Sequence, residues 1–187
     1  LVRAGALYHD IGKIARPNFF IENQSVGMNP HDDLSYIKSA ELIIDHVKNG
    51  VKMAQKYKLP EPIIEFIATH HGTTKANYFY LKQKQDKGEK GTDEELFIYP
   101  GPLPRSKEAT VVMLIDGIEA ASRSMKDKSY ENLKELINKM VDDKIKLNQL
   151  DNSVLTFNDI NIIKETLLNK LINIYHIRIE YPKEENN

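Results

Sequence analysis

The 187-residue chain has no cysteine, which excludes disulfides and thiolate metal sites and fits a reducing compartment. It also has almost no net charge: 26 basic residues face 27 acidic ones, leaving −1 at neutral pH. That balance argues against a general binder of nucleic-acid polymers or membrane surfaces. Any affinity for phosphate must then come from a local site. No apolar run approaches the roughly 18 residues that a membrane span needs, and no signal peptide is visible. Alternation with a period of two, the mark of a half-buried strand, is missing as well. Metal ligands, if there are any, can only be imidazole and carboxylate.

What is present is helical periodicity, and an apolar fraction of 41% is ample for one core in one domain. Val2, Ala6, Leu7 and Ile11 fall near helical spacing, with Gly12 as terminator. Residues 16–31 carry Pro17, Gly27 and Pro30 and read as an ordered covering loop anchored by Phe19, Phe20 and Ile21. A helix follows over 32–58, with Ile37, Ala40, Ile44 and Val47 on one face and Gly50 as a break or bend. Pro60 and Pro62 frame the start of another. A short tyrosine-rich helix near 75–84 leads into a polar, glycine-punctuated stretch, a mobile insertion over 86–95. The most apolar helix spans 109–125, and two amphipathic helices near 129–146 and 158–180 complete an all-α bundle. In the last of these, Ile160, Ile163, Leu167, Leu171 and Ile174 form the stripe. The domain covers 1–180 and a polar tail 181–187; opening on Leu1 within a helical pattern, it reads as part of a longer protein.

Six histidines are present, and four of them sit where chemistry is plausible. His9 and Asp10 end the first apolar run; on their own, a solvated or capping helix end is the simpler account. His70 and His71 also end an apolar helix and are again followed by glycine, which strengthens the case for both pairs. His46, one turn after Leu42 and Ile43, reads by itself as a satisfied core histidine. Asp116 interrupts "VVMLIDGIEAA", where Val112 and Met113 precede it on its own face and Ala120 follows. A carboxylate there is costly unless paired or metal-bound. Arg123 lies two turns away, so a salt bridge to another helix and metal ligation are both open. Together, four imidazoles and two carboxylates suit iron, manganese or zinc at a two-metal hydrolytic centre. Lys13, three residues after Asp10, could then bind a phosphate oxygen, or simply favour a helix C-terminus. Arg16 could act likewise, and His31 could face the substrate, whereas His176 in the last helix reads as structural.

"HDIGK" resembles the signature of the HD phosphohydrolase superfamily. "HDIGKIARPNFFIENQ", "NPHDDLS", "HVKNG", "HHGT" and "YPGPLPRSKEATVVMLIDGIEAASRS" extend the likeness to the HD domain of the seven-transmembrane HD family of cyclic di-AMP phosphodiesterases. The resemblance implies an HD-domain helical bundle that hydrolyses cyclic di-AMP to linear pApA with two divalent ions, iron or manganese. It implies metal ligands at His9, Asp10, His46, His70, His71 and Asp116. Asp10 would bridge, His46, His70 and His71 would hold one ion, and His9 and Asp116 the other. Asp10 and Lys13 would be catalytic, and Lys13, Arg16 and His31 would contact substrate. A further histidine belongs on a helix before "HDIGK". The family is the cytoplasmic part of a bacterial integral membrane protein, so this segment itself would not touch the bilayer. Cyclic di-GMP hydrolases carry "HHE" and a "GYP" motif, against "HHGT" here. The alternatives are a phosphohydrolase for cyclic di-GMP or a nucleoside triphosphate, and a regulatory module that binds nucleotide without turnover.

Overall fold

A computed structural model describes residues 1–24, 27 and 29–177. Among them lie seven α-helices: α1 (Val2–Tyr8), α2 (Tyr36–Lys56), α3 (Glu61–Thr69), α4 (Asn77–Lys87), α5 (Lys107–Ser124), α6 (Tyr130–Lys146) and α7 (Phe157–Ile174). The only strand-like feature among the described residues is an isolated antiparallel bridge between Lys75 and Ile98. The all-α expectation holds, and none of these helices is long and apolar enough to cross a membrane.

Helix starts follow the capping residues. Ser35 accepts from the Lys38 amide and sets the start of α2 at Tyr36, later than the apolar pattern suggested. Ser106 caps α5, and Glu65 of α3 accepts from the Arg105 and Ser106 amides at 3.1 and 3.0 Å, so α3 fixes where α5 begins. At α7, Thr156 and Asp159 form a reciprocal capping box, and Asp159 also pairs with Lys107 at 2.9 Å.

Three apolar clusters hold the bundle. One joins α5, α6 and α7 through Leu114, Leu133, Ile137 and Leu171. A second packs Ala40, Ile44 and Val47 of α2 against Phe97 and Tyr99. The third sets Phe66 and Ile67 of α3 against Ala54, Ala109 and Val112. Fully burying a side chain of this size contributes ~1.5–3 kcal/mol.

Several expectations from the sequence are corrected. α1 ends at Tyr8, and Gly12 does not terminate it but lies inside a 3-10 turn, Ile11–Ala15. Gly50 does not break α2, because the helix continues to Lys56. Both glycines exist for close approach: a Cβ on Gly12 would lie 1.8 Å from the His46 carbonyl oxygen, and one on Gly50 2.7 Å from Ile67. Phe20 anchors the covering loop as expected, but Ile21 is 85% exposed. Gly88, at φ 72°, ends α4 at Lys87, and 3-10 turns at Glu89–Gly91 and Glu94–Phe97 continue the chain. α7 stops at Ile174, which is exposed; Leu168 and Ile172 take its place in the buried stripe. His176 falls after the helix, at φ 53°, rather than in it. The tail at 181–187 lies outside the described residues.

The glycine contact gives a direct test. Gly12→Ala forces backbone apart and should destabilise by ~3 kcal/mol. Gly50→Ala should cost less, since its clash is with a side chain and alanine returns up to ~1 kcal/mol of helix propensity. Denaturant midpoints of the two variants measure the difference; a Gly12→Ala protein as stable as wild type would contradict the contact.

Candidate metal centre

His9 and Asp10 occupy the joint between α1 and the 3-10 turn. His9 is still in helical backbone, at φ −53° and ψ −33°, whereas Asp10 moves to φ −101° and ψ 11°. This change of direction turns the two neighbours, which a straight helix would splay by about 100°, toward one place. His46 comes from the middle of α2 and is 2% exposed; His70, at the end of α3, is 1% exposed. His71 follows in the turn, where Gly72 adopts φ 54°. Asp116 comes from the third turn of α5.

Three of these imidazoles are pinned in the same way. Nδ1 of His9, His46 and His70 donates to the carbonyl three residues back: Ala6 at 2.8 Å, Ile43 at 2.6 Å and Ile67 at 2.9 Å. That bond fixes the tautomer, so each ring, when neutral, turns a bare Nε2 lone pair inward. Nε2 of His46 and of His70 then face each other at 3.1 Å, and both also lie close to Asp10 Oδ1, at 3.3 and 3.6 Å. Asp10 Oδ1 and His9 Nε2 are buried with no hydrogen-bond partner. The His46 and His70 lone pairs and the Asp10 oxygen, crowded together at 3.1–3.6 Å, repel unless a cation sits among them.

Two sets of donor atoms result, each within 4.8 Å mutually: His46, His70 and His71, and His9, Asp10 and Asp116. Imidazole nitrogen and carboxylate oxygen suit divalent iron, manganese or zinc, so the residues present fit a pair of metal ions. All six sequence-derived candidates therefore converge. Asp116 answers the choice left open by sequence in a mixed way: its Oδ1 lies 3.4 Å from His9 Nε2, a partner from another helix, inside a metal-compatible set. Arg123 is occupied by Glu119 on its own helix. Ala120 does not extend the buried face around Asp116, being exposed.

Charge shapes the protonation of these groups. Burial alone would lower the His9 pKa, but the Asp10 and Asp116 carboxylates, 3.2 and 3.4 Å from Nε2, outweigh it and raise it to about 10. Burial favours the neutral form of Asp10, yet the charged His9 imidazolium, 3.2 Å away, holds it well below the usual carboxylate range. Burial, together with the neighbouring imidazoles, pushes His71 well below its ordinary value and keeps its lone pair free. One proton on His9 thus balances two carboxylates, and a metal ion must displace it.

The remaining candidates divide. The Lys13 ammonium stands 2.7 Å from Asp10 Oδ2 and 2.6 Å from Glu22, and 5.1 Å from the Phe20 ring centre. Arg16 is exposed at the end of the 3-10 turn. His31 donates from Nε2 to the Phe19 carbonyl at 2.9 Å and packs 4.9 Å from Phe79, so it ties the covering loop to α4. On α4, Tyr80 packs on Phe97, and Tyr78 is 66% exposed. The sequence reading missed Tyr99, which is 5% exposed and stacks on His71 at 4.2 Å. Nothing in "FIYPGP" singles it out, since a lone tyrosine before proline is an ordinary loop residue. It also missed Glu22 and Gln149, whose roles appear only through contacts distant in sequence.

An all-helical bundle with this His–Asp constellation is the hallmark of one class: residues 1–121 match the HD domain, and the chain belongs to that family. It is 44% identical over 183 residues to the cyclic-di-AMP phosphodiesterase PgpH of Bacillus subtilis (strain 168), covering 98% of this chain and 26% of that protein. It is 39% identical over 185 residues to PgpH of Listeria monocytogenes serotype 1/2a (strain 10403S), covering 99% of this chain and 26% of that protein. The chain thus spans about a quarter of the length of these relatives. The crystal structure of the L. monocytogenes PgpH HD domain in complex with cyclic-di-AMP superposes with a TM-score of 0.88 at 38% identity. That match covers 93% of this chain and 80% of the other.

The electrostatic balance predicts how metal-free protein responds to pH. Because the His9 pKa is raised in the fold, its proton stabilises fully below about 6.5 and that contribution disappears as pH climbs toward about 10. Thermal midpoints of metal-free protein should therefore fall across this window, and Asp116→Asn should flatten the fall. A midpoint independent of pH over the window would contradict the pairing.

Proposed function

We propose that this domain hydrolyses cyclic di-AMP to linear pApA, using two divalent metal ions held by His46, His70 and His71 and by His9, Asp10 and Asp116. The observation that carries the reading is the convergence of three pinned imidazoles and two carboxylates on one place. An inert binding module has no use for that arrangement, whose buried lone pairs cost stability whenever no cation is present. The substrate class rests on the named relatives and on the cyclic-di-AMP complex of the matching HD domain.

When bound, the ions would supply Lewis-acid polarisation of a phosphoryl group and acidify an attacking water. The chain's own residues do the rest. Asp10 projects from a joint that lets it face both donor sets, which suits a bridging carboxylate. The i−3 carbonyls of Ala6, Ile43 and Ile67 hold His9, His46 and His70 in the ligating tautomer. Lys13, tethered by Asp10 and Glu22, carries a cation to the edge of the centre, where a phosphate oxygen can accept from it. Phe20, 6% exposed and 5.6 Å from His46, keeps water from that side. Water adds to phosphorus, the bond to the ribose 3′-oxygen breaks, and that oxygen leaves as the 3′-hydroxyl of pApA after taking a proton. Arg16 and His31 are kept as candidate substrate contacts. We also propose that the domain works within a longer protein, for which its 26% share of the relatives' length is the support, and that this protein is membrane-anchored, as the family resemblance implies.

Protein loaded with iron or manganese should cleave cyclic di-AMP in preference to cyclic di-GMP. Asp10→Ala or removal of metal by chelation should lower kcat by 10³-fold or more, on the order of ~4 kcal/mol of barrier. Separation of the products by chromatography reads the outcome. Preference for cyclic di-GMP would overturn the substrate, and an Asp10→Ala protein as active as wild type would overturn the two-metal chemistry.

A further inference from the structure

We propose that Tyr99 is a positioning residue for the metal centre: its ring fixes the plane of the His71 imidazole and so aims the one candidate ligand histidine that no hydrogen bond orients. The inference rests on the two-metal reading given above for what His71 binds.

Three of the four imidazoles owe their direction to Nδ1–H bonds on the carbonyls three residues back. The His71 side chain makes no hydrogen bond among the described residues. It lies past the end of α3, where Gly72 takes φ 54° and turns the chain. Its carbonyl accepts from the Thr74 amide and hydroxyl at 3.1 and 2.7 Å, which fixes its backbone but not its ring. Other rings bound the imidazole instead. Tyr99 stacks on it at 4.2 Å between centroids and 26° from parallel. His70 lies at 4.1 Å but tilted by 45°, and His46 at 5.2 Å nearly perpendicular. Stacking constrains the plane of a ring, and both nitrogens of an imidazole lie on the edge of that plane.

The Tyr99 ring is anchored independently of His71. It is 5% exposed and packs with Phe97 against Ala40, Ile44 and Val47 of α2. The Tyr99 amide donates to the Thr74 carbonyl at 2.8 Å, and the Ala76 amide to the Phe97 carbonyl at 2.8 Å, on either side of the Lys75–Ile98 bridge. Beyond α6, Gln149 is 3% exposed; it accepts from the Thr73 amide and donates to the Thr73 hydroxyl, both at 2.9 Å. The backbone of the turn after His71 is thus held from two directions by bonds that no side chain at position 99 makes. What the Tyr99 side chain adds is the orientation of one ring.

The effect on the centre is selective. His71 shares its donor set with His46 and His70, whereas His9, Asp10 and Asp116 form the other. Tyr99 meets the first set alone, stacked on His71 and edge-on to His46 at 6.2 Å. Without the stack, that set keeps two oriented imidazoles and one free to turn.

The test compares wild-type protein with Tyr99→Leu, which removes the ring but keeps apolar bulk, and Tyr99→Phe, which removes only the hydroxyl. Calorimetric titration of chelator-stripped protein with manganese gives the affinity of each ion. Tyr99→Leu should weaken one ion by ~10–100-fold, the usual effect of losing a group that orients a ligand, and the other by less than ~3-fold. Tyr99→Phe should bind both as wild type does. Histidine ring signals in NMR spectra of zinc-loaded protein read the orientation itself. The His71 ring protons should be shifted upfield by the stacked ring in wild type and in Tyr99→Phe. In Tyr99→Leu they should broaden, while the hydrogen-bonded His9, His46 and His70 rings stay sharp. A merely structural role would lower the thermal midpoint and leave the two ions weakened alike or not at all. Either of those binding results, a Tyr99→Phe protein that behaves like Tyr99→Leu, or an unshifted His71 signal in wild type overturns the proposal. Wild-type protein that binds two ions but leaves cyclic di-AMP intact overturns the activity and not the role of Tyr99. Wild-type protein that binds fewer than two ions overturns the two-metal reading, and the His71 signals of metal-free protein then decide the orienting role.

Discussion

The structure depends on a crowd of lone pairs held together against their mutual repulsion. Three histidines from α1, α2 and α3 each donate Nδ1–H to the carbonyl three residues behind them and so aim Nε2 at a shared point. Left in water these rings would rotate and solvate. Inside the bundle they cannot, because the carbonyls that hold them belong to the helices on which they ride. The orientation of the donors is thus a by-product of helix geometry at residues that would otherwise be ordinary core positions.

Other features serve to bring those helices close enough. Gly12 lets the turn after Asp10 lie directly on the α2 backbone at His46, and Gly50, one turn later, admits both that turn and Ile67 of α3. Glu65 fixes the start of α5 and with it the depth at which Asp116 emerges. Gln149 does the same for α6, joining it to the turn after His71. Each contact spends a close approach or a buried polar group on placement rather than on core area, the usual pattern where a site must be rigid.

How much of this was legible in the sequence follows from the range of the interactions. Helix existence was legible, because apolar spacing is local, whereas the starts that Ser35, Ser106 and Thr156 set were not read from it. The six donors stood out because His and Asp are conspicuous at the ends of apolar helices, and because "HDIGK" with its companions resembles a known family. The glycines were misread for a physical reason: a glycine seen alone suggests a terminator or a bend, while Gly12 meets His46 and Gly50 of α2, and Gly50 meets Ile67 of α3. Ile21 and Ile174 were overrated because hydrophobicity alone says nothing about which side of a turn faces the core. Tyr99 and Gln149 were invisible because their meaning lies entirely in contacts between distant segments.

The central claim is that the convergent donors form two adjacent metal positions sharing Asp10. Anomalous X-ray scattering from crystals loaded with iron or manganese, recorded at the metal edge, tests it most directly. The account predicts two peaks, one among His46, His70 and His71 and the other among His9, Asp10 and Asp116, with Asp10 between them. A single peak with Asp116 remaining paired to His9, or no peak at all, would contradict it.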